Sequence, residues 1–336
     1  MINILRNYLY NKNNAKLLVK VKDINILKLK QKKSKKIFYI IKRNKWRGMF
    51  SNLHYVISHL IYAKKKKFTC LVDMENYPTI YNETNKINNS FNSWDYYFEN
   101  LNSINLNKVY KNFNFIFSDS TKLDTSKLHK RIYMKYEKIL HSNLIKKKII
   151  YQANLIEKKF FKDNKVLGVH LRGSDQKKGT LHPFPPTLKQ TMALTEKTFK
   201  KYKFDKIFLV TEEKNYFNKF KNKFGKKLIN FDTYRSDDDI FLEYPRKNHR
   251  YLLGHETIIN MILMSKANHL IHSNTNFSAM SVVYSRKKLK QTIIFNGYNS
   301  KNIFIASILW YLKSLLPYNF GGFENKIKTT SKLEAL

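Results

Sequence analysis

The chain is poor in the residues that define several common classes of protein. Cys70 is the single cysteine among 336 residues, so a disulfide scaffold and a cysteine-based zinc finger are both excluded. One cysteine without a partner is also typical of a reducing compartment. Glycine and proline are scarce, at 9 and 6 residues, and neither an internal repeat nor a low-complexity linker interrupts the sequence.

Long hydrophobic runs are missing as well. Polar and charged residues interrupt the segment from Met1 to Lys20, so we expect no secretory signal there. No run approaches the ~20 apolar residues of a membrane-spanning helix. The nearest candidate, Ile303 to Leu316, is shorter and contains Lys313. A buried core helix is the favoured interpretation of this segment, and a helix lying on a membrane surface is the alternative.

Acidic residues are few. The chain has 24 Asp and Glu against 64 Lys and Arg, which gives a formal net charge of +40. A disordered polycation is nevertheless excluded, because hydrophobic residues make up 43% of the chain and aromatic residues 15%. Such a charge attracts anionic membranes, nucleic acids or nucleotide substrates, and it does not choose among them.

The first half of the chain alternates between the hydrophobic patterns of strands and helices. We predict a strand at 37–41, a helix from Ser51 to about Ala63 and a second strand at 68–72. Residues 77–115 are predicted to be rich in loops. A helical region follows, from Thr125 to about Phe161, with a break near Ser142–Asn143. This alternation is typical of an α/β sheet with crossover helices.

The second half shows the same alternation more clearly. The predicted strands are 166–171, 207–210, 269–271 and 292–295, with a further candidate at 228–231. The predicted helices are 212–224, 254–267 and 277–285, and the last dozen residues are predicted to be a frayed tail. The length favours two domains. We predict an amino-terminal domain over 1–162, a second domain over 163–300, and a helix and tail over 301–336.

Polar turns follow three of these strands and carry the candidate chemistry. Arg172 and Gly173 follow the first strand of the second half, Thr211-Glu212-Glu213 follow the next one, and residues 273–276 follow the third. Ligands bind beyond the carboxyl ends of strands in open α/β sheets, so the three turns predict one shared site. The guanidinium of Arg172 suits a pyrophosphate. The structural alternatives are an Arg172–Asp175 ion pair and two ordinary helix caps.

The segment Val169-His170-Leu171-Arg172-Gly173-Ser174-Asp175 resembles the His-x-Arg-(Arg)-Thr-Asp-Lys signature of the α-1,6-fucosyltransferases of glycosyltransferase family 23 and the bacterial nodulation type. The order of the later parts is also similar: His182-Pro183, a strand ending in Thr-acid-acid, and a helix, strand and Ser-Asn turn. The resemblance covers about residues 165–296. Residues 48–52, 72–74 and 94–98 look, more loosely, like the amino-terminal domain of bacterial relatives.

This resemblance implies two Rossmann-like domains facing a cleft, the GT-B type. It also implies inverting transfer of fucose from GDP-fucose to a glycan hydroxyl, without a metal or other cofactor. Arg172 matches the arginine that holds the donor pyrophosphate. The resemblance places the other predicted donor-binding residues at further positions of the family pattern, some of which they match and some of which they replace: His170, Gly173, Glu212, Glu213, Asn260, Ser273, Thr275 and Asn276.

Some positions depart from the family pattern. Gly173 stands where a second arginine is usual, Gln176 where lysine is usual, and Asn260 where an acid helps to read guanine. The glutamate proposed as acceptor base has no counterpart between Asp175 and His182. We therefore predict Arg172, His182 and Asp175 as the catalytic residues, with His182 as the general base and Asp175 behind it.

Other functions fit the sequence less well. A transferase that uses another nucleotide sugar and a basic nucleic-acid-binding protein without catalytic activity remain the alternatives. Asp237-Asp238-Asp239 does not follow a hydrophobic strand, so a solvated loop is favoured over a metal site. His255-Glu256 is not a zincin motif, because Ile259 occupies the position of the second ligand. The four histidines that could in principle gather a metal are expected to have ordinary structural roles: His249, His255, His269 and His272.

The sequence also predicts the partners and the location. The expected partners are a nucleotide sugar and a glycan acceptor, with peripheral contact to an anionic membrane as a further option and no nucleic acid. We expect a cytoplasmic protein that can lie at the inner face of a membrane, because a basic surface is attracted to anionic lipid headgroups.

Overall fold

The computed structural model describes residues 37–43, 47–102, 104–112, 114–118, 130–285 and 288–331. The described chain groups into two compact units. The first contains the chain up to Ile149 together with Tyr244–Thr257, and the second contains Ile150–Glu243 and Ile258–Leu336. The chain passes from the first unit to the second after Ile149, whereas the sequence placed a domain boundary after residue 162. The predicted domain ranges remain a prediction. The segment Met1–Lys20 and the predicted helix start at Thr125 lie outside the described residues.

The first unit is built on a three-stranded parallel sheet. Its strands are β1 (Ile37–Lys42), β2 (Thr69–Asp73) and β3 (Asn114–Phe117), in the order β2-β1-β3. The crossover helix α1 (Met49–Lys65) places eight residues in the interior, among them Leu53, Val56 and Ile57. Both predicted strands and the helix are present. The helix begins earlier than predicted, because Gly48 occupies the cap position instead of Ser51.

The stretch 77–115 contains more regular structure than predicted. It includes two short helices, α2 (Ser93–Tyr97) and α3 (Leu106–Asn112), and the start of β3. Asn92 caps α2 through its side chain. The strand was missed because all four of its residues are only half-buried, so their hydrophobic pattern is weak.

The helical region before the second sheet is interrupted where the sequence predicted. Helix α4 (Lys130–Ile139) passes into one π turn at Leu140–Leu144, and α5 (Lys147–Phe160) follows. Ser142 and Asn143 have non-helical backbone angles, and Asn143 has a φ of +60°. The predicted break near Ser142–Asn143 is therefore confirmed; asparagine tolerates this left-handed conformation better than most residues.

The second unit contains a five-stranded sheet that carries the predicted site. Its strands are β4 (Val166–His170), β5 (Lys206–Val210), β6 (His269–His272), β7 (Lys290–Phe295) and β8 (Lys326–Thr330). The order is β5-β4-β6-β7-β8, and only the β7–β8 pair is antiparallel. The helices of this part of the chain are α6 (Ser174–Lys178), α7 (Leu188–Lys201), α8 (Lys214–Phe224), α9 (His249–Lys266), α10 (Asn276–Tyr284) and α11 (Ile303–Leu315). The residues of α9 up to Thr257 belong to the first unit, and the rest of the helix belongs to the second. The predicted α/β class is confirmed, and both sheets are wholly or mainly parallel.

Two predictions about this sheet are wrong. Residues 228–231 form no strand, because Leu228 makes only an isolated bridge to Ile207. The last dozen residues, which were predicted to be a frayed tail, contain strand β8 at Lys326–Thr330. This strand is exposed and rich in lysine, so its sequence lacks the apolar alternation of a half-buried strand.

The favoured interpretation of residues 303–316 as a buried core helix is also wrong. The helix is present as α11, but only Ala306 and Trp310 on it are buried. Most of its large apolar side chains face solvent. Among the described residues, no helix combines the length and the hydropathy needed to cross a bilayer.

Buried histidines give the second unit a predicted sensitivity to acid. Burial, Lys290 and His272 lower the pKa of His269 from 6.5 to about 4. Folded His269 therefore stays neutral in a pH range where the unfolded chain binds a proton. Its contribution to stability is complete above pH 6.5 and is lost as the pH falls towards 4. At pH 5 we expect it to cost about 2 kcal/mol of unfolding free energy, measured by urea denaturation at pH 7 and pH 5.

The variant His269→Gln isolates this contribution from that of the carboxylates. Glutamine can still reach Thr292, whose hydroxyl lies 2.8 Å from Nε2 of His269. It does not titrate, so the loss of stability between pH 7 and pH 5 should be smaller in the variant. An unchanged pH dependence would show that His269 is not the responsible group.

Candidate functional site

The strand order of the second sheet brings the three polar turns together. Strand β4 lies between β5 and β6, and all three run parallel. Their carboxyl ends therefore meet at one edge of the sheet. The registers place His170 beside Val210 and Val169 beside Ile271, so each strand reaches this edge at nearly the same level. The turns that begin at Leu171, Thr211 and Ser273 are consequently neighbours.

Arg172 leaves the end of β4 beside Glu212. Its Nε atom lies 3.4 Å from Oε1 of Glu212, and 35% of the arginine side chain is exposed. The same glutamate oxygen accepts a hydrogen bond of 3.2 Å from the backbone N–H of Gly173. Arg172 therefore takes part in an ion pair, as the structural alternative predicted. Among the described side chains its partner is Glu212, whereas the alternative named Asp175. The pair engages the Nε edge of the guanidinium, and the side chain remains accessible to solvent.

Gly173 allows Glu213 to lie against the backbone. A Cβ atom at this position would overlap the carboxylate of Glu213. That carboxylate pairs with Lys177 at 3.1 Å, and the two side chains are only 12% and 11% exposed. The second arginine of the family signature could not stand here without displacing Glu213. The departure at Gly173 therefore has a physical reason in this chain.

Lys177 is a site residue that the sequence analysis missed. Its ammonium group lies 5.0 Å from the ring centres of both Tyr216 and Trp310. Burial alone would lower its pKa, but the hydrogen bond that the ammonium donates to Tyr216 and the charge of Glu213 raise it overall. Lys177 therefore holds a fixed positive charge beneath the turn. Its sequence signal is weak, because it stands next to another lysine in a chain with 64 basic residues.

The turn after β6 caps α10 and leaves polar atoms without protein partners. Thr275 and Ser278 form a capping box, which engages the Thr275 hydroxyl and both backbone N–H groups. The capping alternative for Thr275 is therefore correct. The hydroxyl of Ser273 is different: the residue is 1% exposed, and its Oγ atom has no hydrogen-bond partner among the described residues. A buried polar atom of this kind costs free energy unless a ligand or water satisfies it.

His170 contributes a neutral ring to the same edge. Burial, together with the charge of Arg172 and the proximity of His272, holds its pKa well below 6.5. The imidazole stacks on Phe277 with ring centres 4.3 Å apart, and Nδ1 lies 3.4 Å from the Thr275 hydroxyl. His170 can therefore orient the turn after β6 by hydrogen bonding, without adding charge at neutral pH.

The remaining predicted residues are more scattered. Asn276 is exposed at the first position of α10, and Asn260 is half-buried on α9. His182 is exposed in the loop after α6; its backbone carbonyl accepts from Asn299, in the loop after β7, at 2.9 Å. The backbone of Asp175 lies in α6, and its side chain lies outside the described part of the structure.

A cleft of about 650 Å³ opens beside the Lys177–Glu213 pair. It lies next to α6, α8 and α11 within the second unit. Of the predicted donor-binding residues, Glu213 alone lines it. The lining residues are Lys177, Lys178, Glu213, Lys214, Asn215, Asn218, Asp237 and Tyr311. Three lysines against two acids make the cleft suitable for an anionic or strongly polar ligand.

The alternative metal sites find no support in the described ranges. Asp237 accepts a hydrogen bond of 2.8 Å from the backbone N–H of Asn215, so it caps the start of α8. His269 contacts Thr292, and His272 contacts Gln291 and Ser273. Across the described residues, no three His, Cys, Asp or Glu side chains are grouped so that they could hold a metal ion.

Comparisons with known proteins agree with the fold. No family model matches the sequence, and no curated protein matches it either. In three dimensions the chain is similar to NodZ α-1,6-fucosyltransferase crystallised with GDP, with 14% identity, a TM-score of 0.52, and coverage of 79% of this chain and 96% of NodZ. The structure of selenomethionine NodZ from Bradyrhizobium is similar as well, with 14% identity, a TM-score of 0.51, and coverage of 78% of this chain and 95% of NodZ.

A third similar structure is POFUT1 in complex with GDP, at 8% identity and a TM-score of 0.46, covering 74% of this chain and 94% of POFUT1. The NodZ comparison shows similarity over nearly the whole length of that enzyme. At 14% identity this similarity concerns the fold. The resemblance to the fucosyltransferases that the sequence predicted is confirmed at that level: this chain has the α/β fold of NodZ fucosyltransferase.

Proposed function

We propose that the chain is a glycosyltransferase that binds a nucleotide sugar at the turns after β4, β5 and β6. The observation that carries the proposal is the juxtaposition of Arg172 with the buried, unpartnered hydroxyl of Ser273 at one sheet edge. A basic fork and a hydroxyl without a partner are suited to the oxygens of a diphosphate. The NodZ fold supports the same reading, because ligands of such sheets bind beyond the carboxyl ends of the strands.

GDP-fucose is the donor that we propose, and a glycan hydroxyl is the acceptor. NodZ is an α-1,6-fucosyltransferase that was crystallised with GDP, and its fold is the one found here. Glu212 and Glu213 are proposed to lie near the nucleoside, and Gly173, His170 and the turn at 273–276 near the phosphates. Asn260 is proposed to stand near the guanine base in place of the acid found in the family.

The proposed reaction is a direct displacement with inversion. The acceptor hydroxyl attacks the anomeric carbon, the bond to the diphosphate breaks, and the nucleoside diphosphate leaves with the bonding electrons. Negative charge therefore grows on the leaving oxygen. Arg172 stabilises that charge, which is the step where a preorganised donor contributes most. No metal is needed for this chemistry, so we expect full activity in EDTA.

His182 is the proposed general base, and Asp175 is proposed to act behind it. The ring lies against Gly179, where an added Cβ would stand 2.9 Å from Cδ2 of the histidine. Since His182 is exposed, water can partly replace it. We expect His182→Gln to lower kcat by at most ~10²-fold and to remove the acidic limb of the pH–rate profile. A profile with that limb unchanged would exclude His182 as the base.

A thermal-shift experiment with nucleotides tests the proposed function. GDP at about one hundred times its Kd should add ~2.7 kcal/mol to the free energy of unfolding, and ADP should add much less. The shift should vanish in Arg172→Ala and persist in Lys200→Ala, which removes a charge from an exposed pair with Glu196. A selective response to UDP instead would support the alternative that another nucleotide sugar is the donor.

The competing function is binding of nucleic acid without catalysis. The net charge of +40 is the observation that keeps it open. It predicts RNA binding that falls steeply with salt and is indifferent to Arg172→Ala, with no selective response to any nucleotide. That outcome would overturn the proposed transferase. Peripheral contact with an anionic membrane is also proposed.

A further inference from the structure

Helix α11 presents an apolar face to solvent. Phe304, Ile308 and Leu315 are 64%, 55% and 81% exposed, and Tyr311 and Leu312 are also exposed. Spacings of three, four and seven residues place Phe304, Ile308, Tyr311 and Leu315 on one side of the helix. A surface helix of an ordinary globular protein carries its apolar stripe towards the core. Here the stripe points the opposite way.

The orientation of α11 is fixed by its other side. Trp310 is buried, and its Nε1–H donates a hydrogen bond of 2.8 Å to the backbone carbonyl of Pro185. Trp310 also packs with Phe184 and Phe323 in a small core. Lys313 donates to the carbonyl of Gly321 at 2.8 Å. The helix therefore cannot roll to bury its apolar stripe without losing these contacts.

The segment after the helix adds a further exposed aromatic side chain. A short 3₁₀ turn at Tyr318–Phe320 follows α11, and Phe320 is 76% exposed. We name the α11 surface as Phe304, Ile308, Tyr311, Leu312, Leu315 and Phe320. Groups of exposed large apolar side chains of this kind mark interaction sites in folded proteins.

The charge of the chain segment that contains the α11 surface narrows the choice of partner. From residue 288 to residue 331 the chain has lysines at 288, 290, 301, 313, 326 and 328 and a single acid, Glu324. Two copies of the chain packed through this face would bring these lysines and two charges of +40 together, which disfavours a dimer. An anionic lipid surface suits both features, since lysines attract its headgroups and apolar side chains enter the acyl boundary.

We propose that the α11 surface docks this protein on an anionic lipid bilayer. The helix lies in the plane of the interface, with the aromatic and aliphatic side chains inserted and the exposed Lys301, just before the helix, at the level of the headgroups. Helix α11 has 13 residues, which is too short to span the bilayer. This proposal does not depend on transfer activity, because it uses none of the residues assigned to the donor.

Vesicle flotation with the full chain tests the proposal. The probe is phosphatidylcholine vesicles with about a quarter phosphatidylglycerol, compared with pure phosphatidylcholine. We expect flotation with the anionic vesicles and much less with the neutral ones. The triple variant Phe304→Gln, Ile308→Gln, Leu315→Gln should lower the partition coefficient ~100-fold, because it removes three inserted side chains without changing the net charge.

The matched control makes the same change elsewhere. Met134, Leu155 and Leu242 are 62%, 51% and 53% exposed and do not belong to the α11 surface. Their triple glutamine variant should float like the unmodified chain. Both triple variants should keep the melting temperature of the unmodified chain, since all six positions are exposed and glutamine is a good helix former.

Two results would overturn the proposal. Equal flotation of the α11 variant and the unmodified chain would show that the basic charge alone attracts the protein and that α11 does not insert. A failure of the unmodified chain to float, together with a dimer in sedimentation that dissociates in the α11 variant, would show that a second copy covers this face.

Discussion

Replacing Arg172 with alanine is expected to abolish transfer while leaving the protein folded. Arg172 pairs with Glu212 through Nε at 3.4 Å, and its side chain is 35% exposed, so the loss of the pair costs little stability. The chemistry should suffer far more. Removing one preorganised donor to a developing oxyanion typically lowers kcat by roughly 10²–10³-fold. Steady-state kinetics with GDP-fucose, with the melting temperature as a check on folding, measure both effects.

Two further variants sharpen this prediction. Arg172→Lys keeps a positive charge but loses the planar fork, so activity should recover only partly. Lys200→Ala removes a charge from the exposed pair with Glu196 and should have wild-type kinetics. If Arg172→Ala turned over like the wild type, Arg172 would not belong to the site and the proposed donor position would be wrong.

Replacing Gly173 with alanine should damage both stability and activity. The added Cβ would overlap the Glu213 carboxylate, which is held in a buried pair with Lys177 at 3.1 Å. Either the backbone or the ion pair must move. We expect a loss of ~1–3 kcal/mol in the free energy of unfolding. We also expect a fall of at least ~10²-fold in kcat/KM, because small displacements at a reacting centre are costly.

A double-variant cycle distinguishes this steric conflict from a general effect of losing a glycine. In the background Glu213→Ala the overlapping carboxylate is absent, so adding Gly173→Ala should cost almost no further stability. Gly48→Ala is the matched glycine control, since nothing lies within 4 Å of a Cβ at that position. Additive free energies for the two site changes would rule out the clash with Glu213.

Local sequence was a good guide wherever a continuous apolar run formed a buried strand. All five residues of β4 are buried, and one of them, Gly168, faces Met264 and Ala267. Strands of this kind are buried on both faces, so their composition alone identifies them. Strands β3 and β8 were missed because one is half-buried and the other is exposed.

The candidate site was predictable in part for a related reason. Polar turns at the ends of parallel strands must meet at one edge, so the sequence could predict that Arg172, Glu212 and the turn after β6 are neighbours. It could not predict which atoms pair. The Lys177–Glu213 pair and the unpartnered Ser273 hydroxyl depend on side-chain directions that only the packed sheet and helices define.

By itself the sequence determined the α/β class, the succession along the chain of the strands that carry the site, and the strong positive charge. These follow from composition and periodicity, which are properties of neighbouring residues. Only the tertiary structure decided that Gly173 gives space to Glu213 and that α11 turns its apolar face outward. When a helix consists largely of apolar residues, its sequence does not indicate which of its sides is buried. In α11 the hydrogen bonds of Trp310 and Lys313 decide which side packs against the protein.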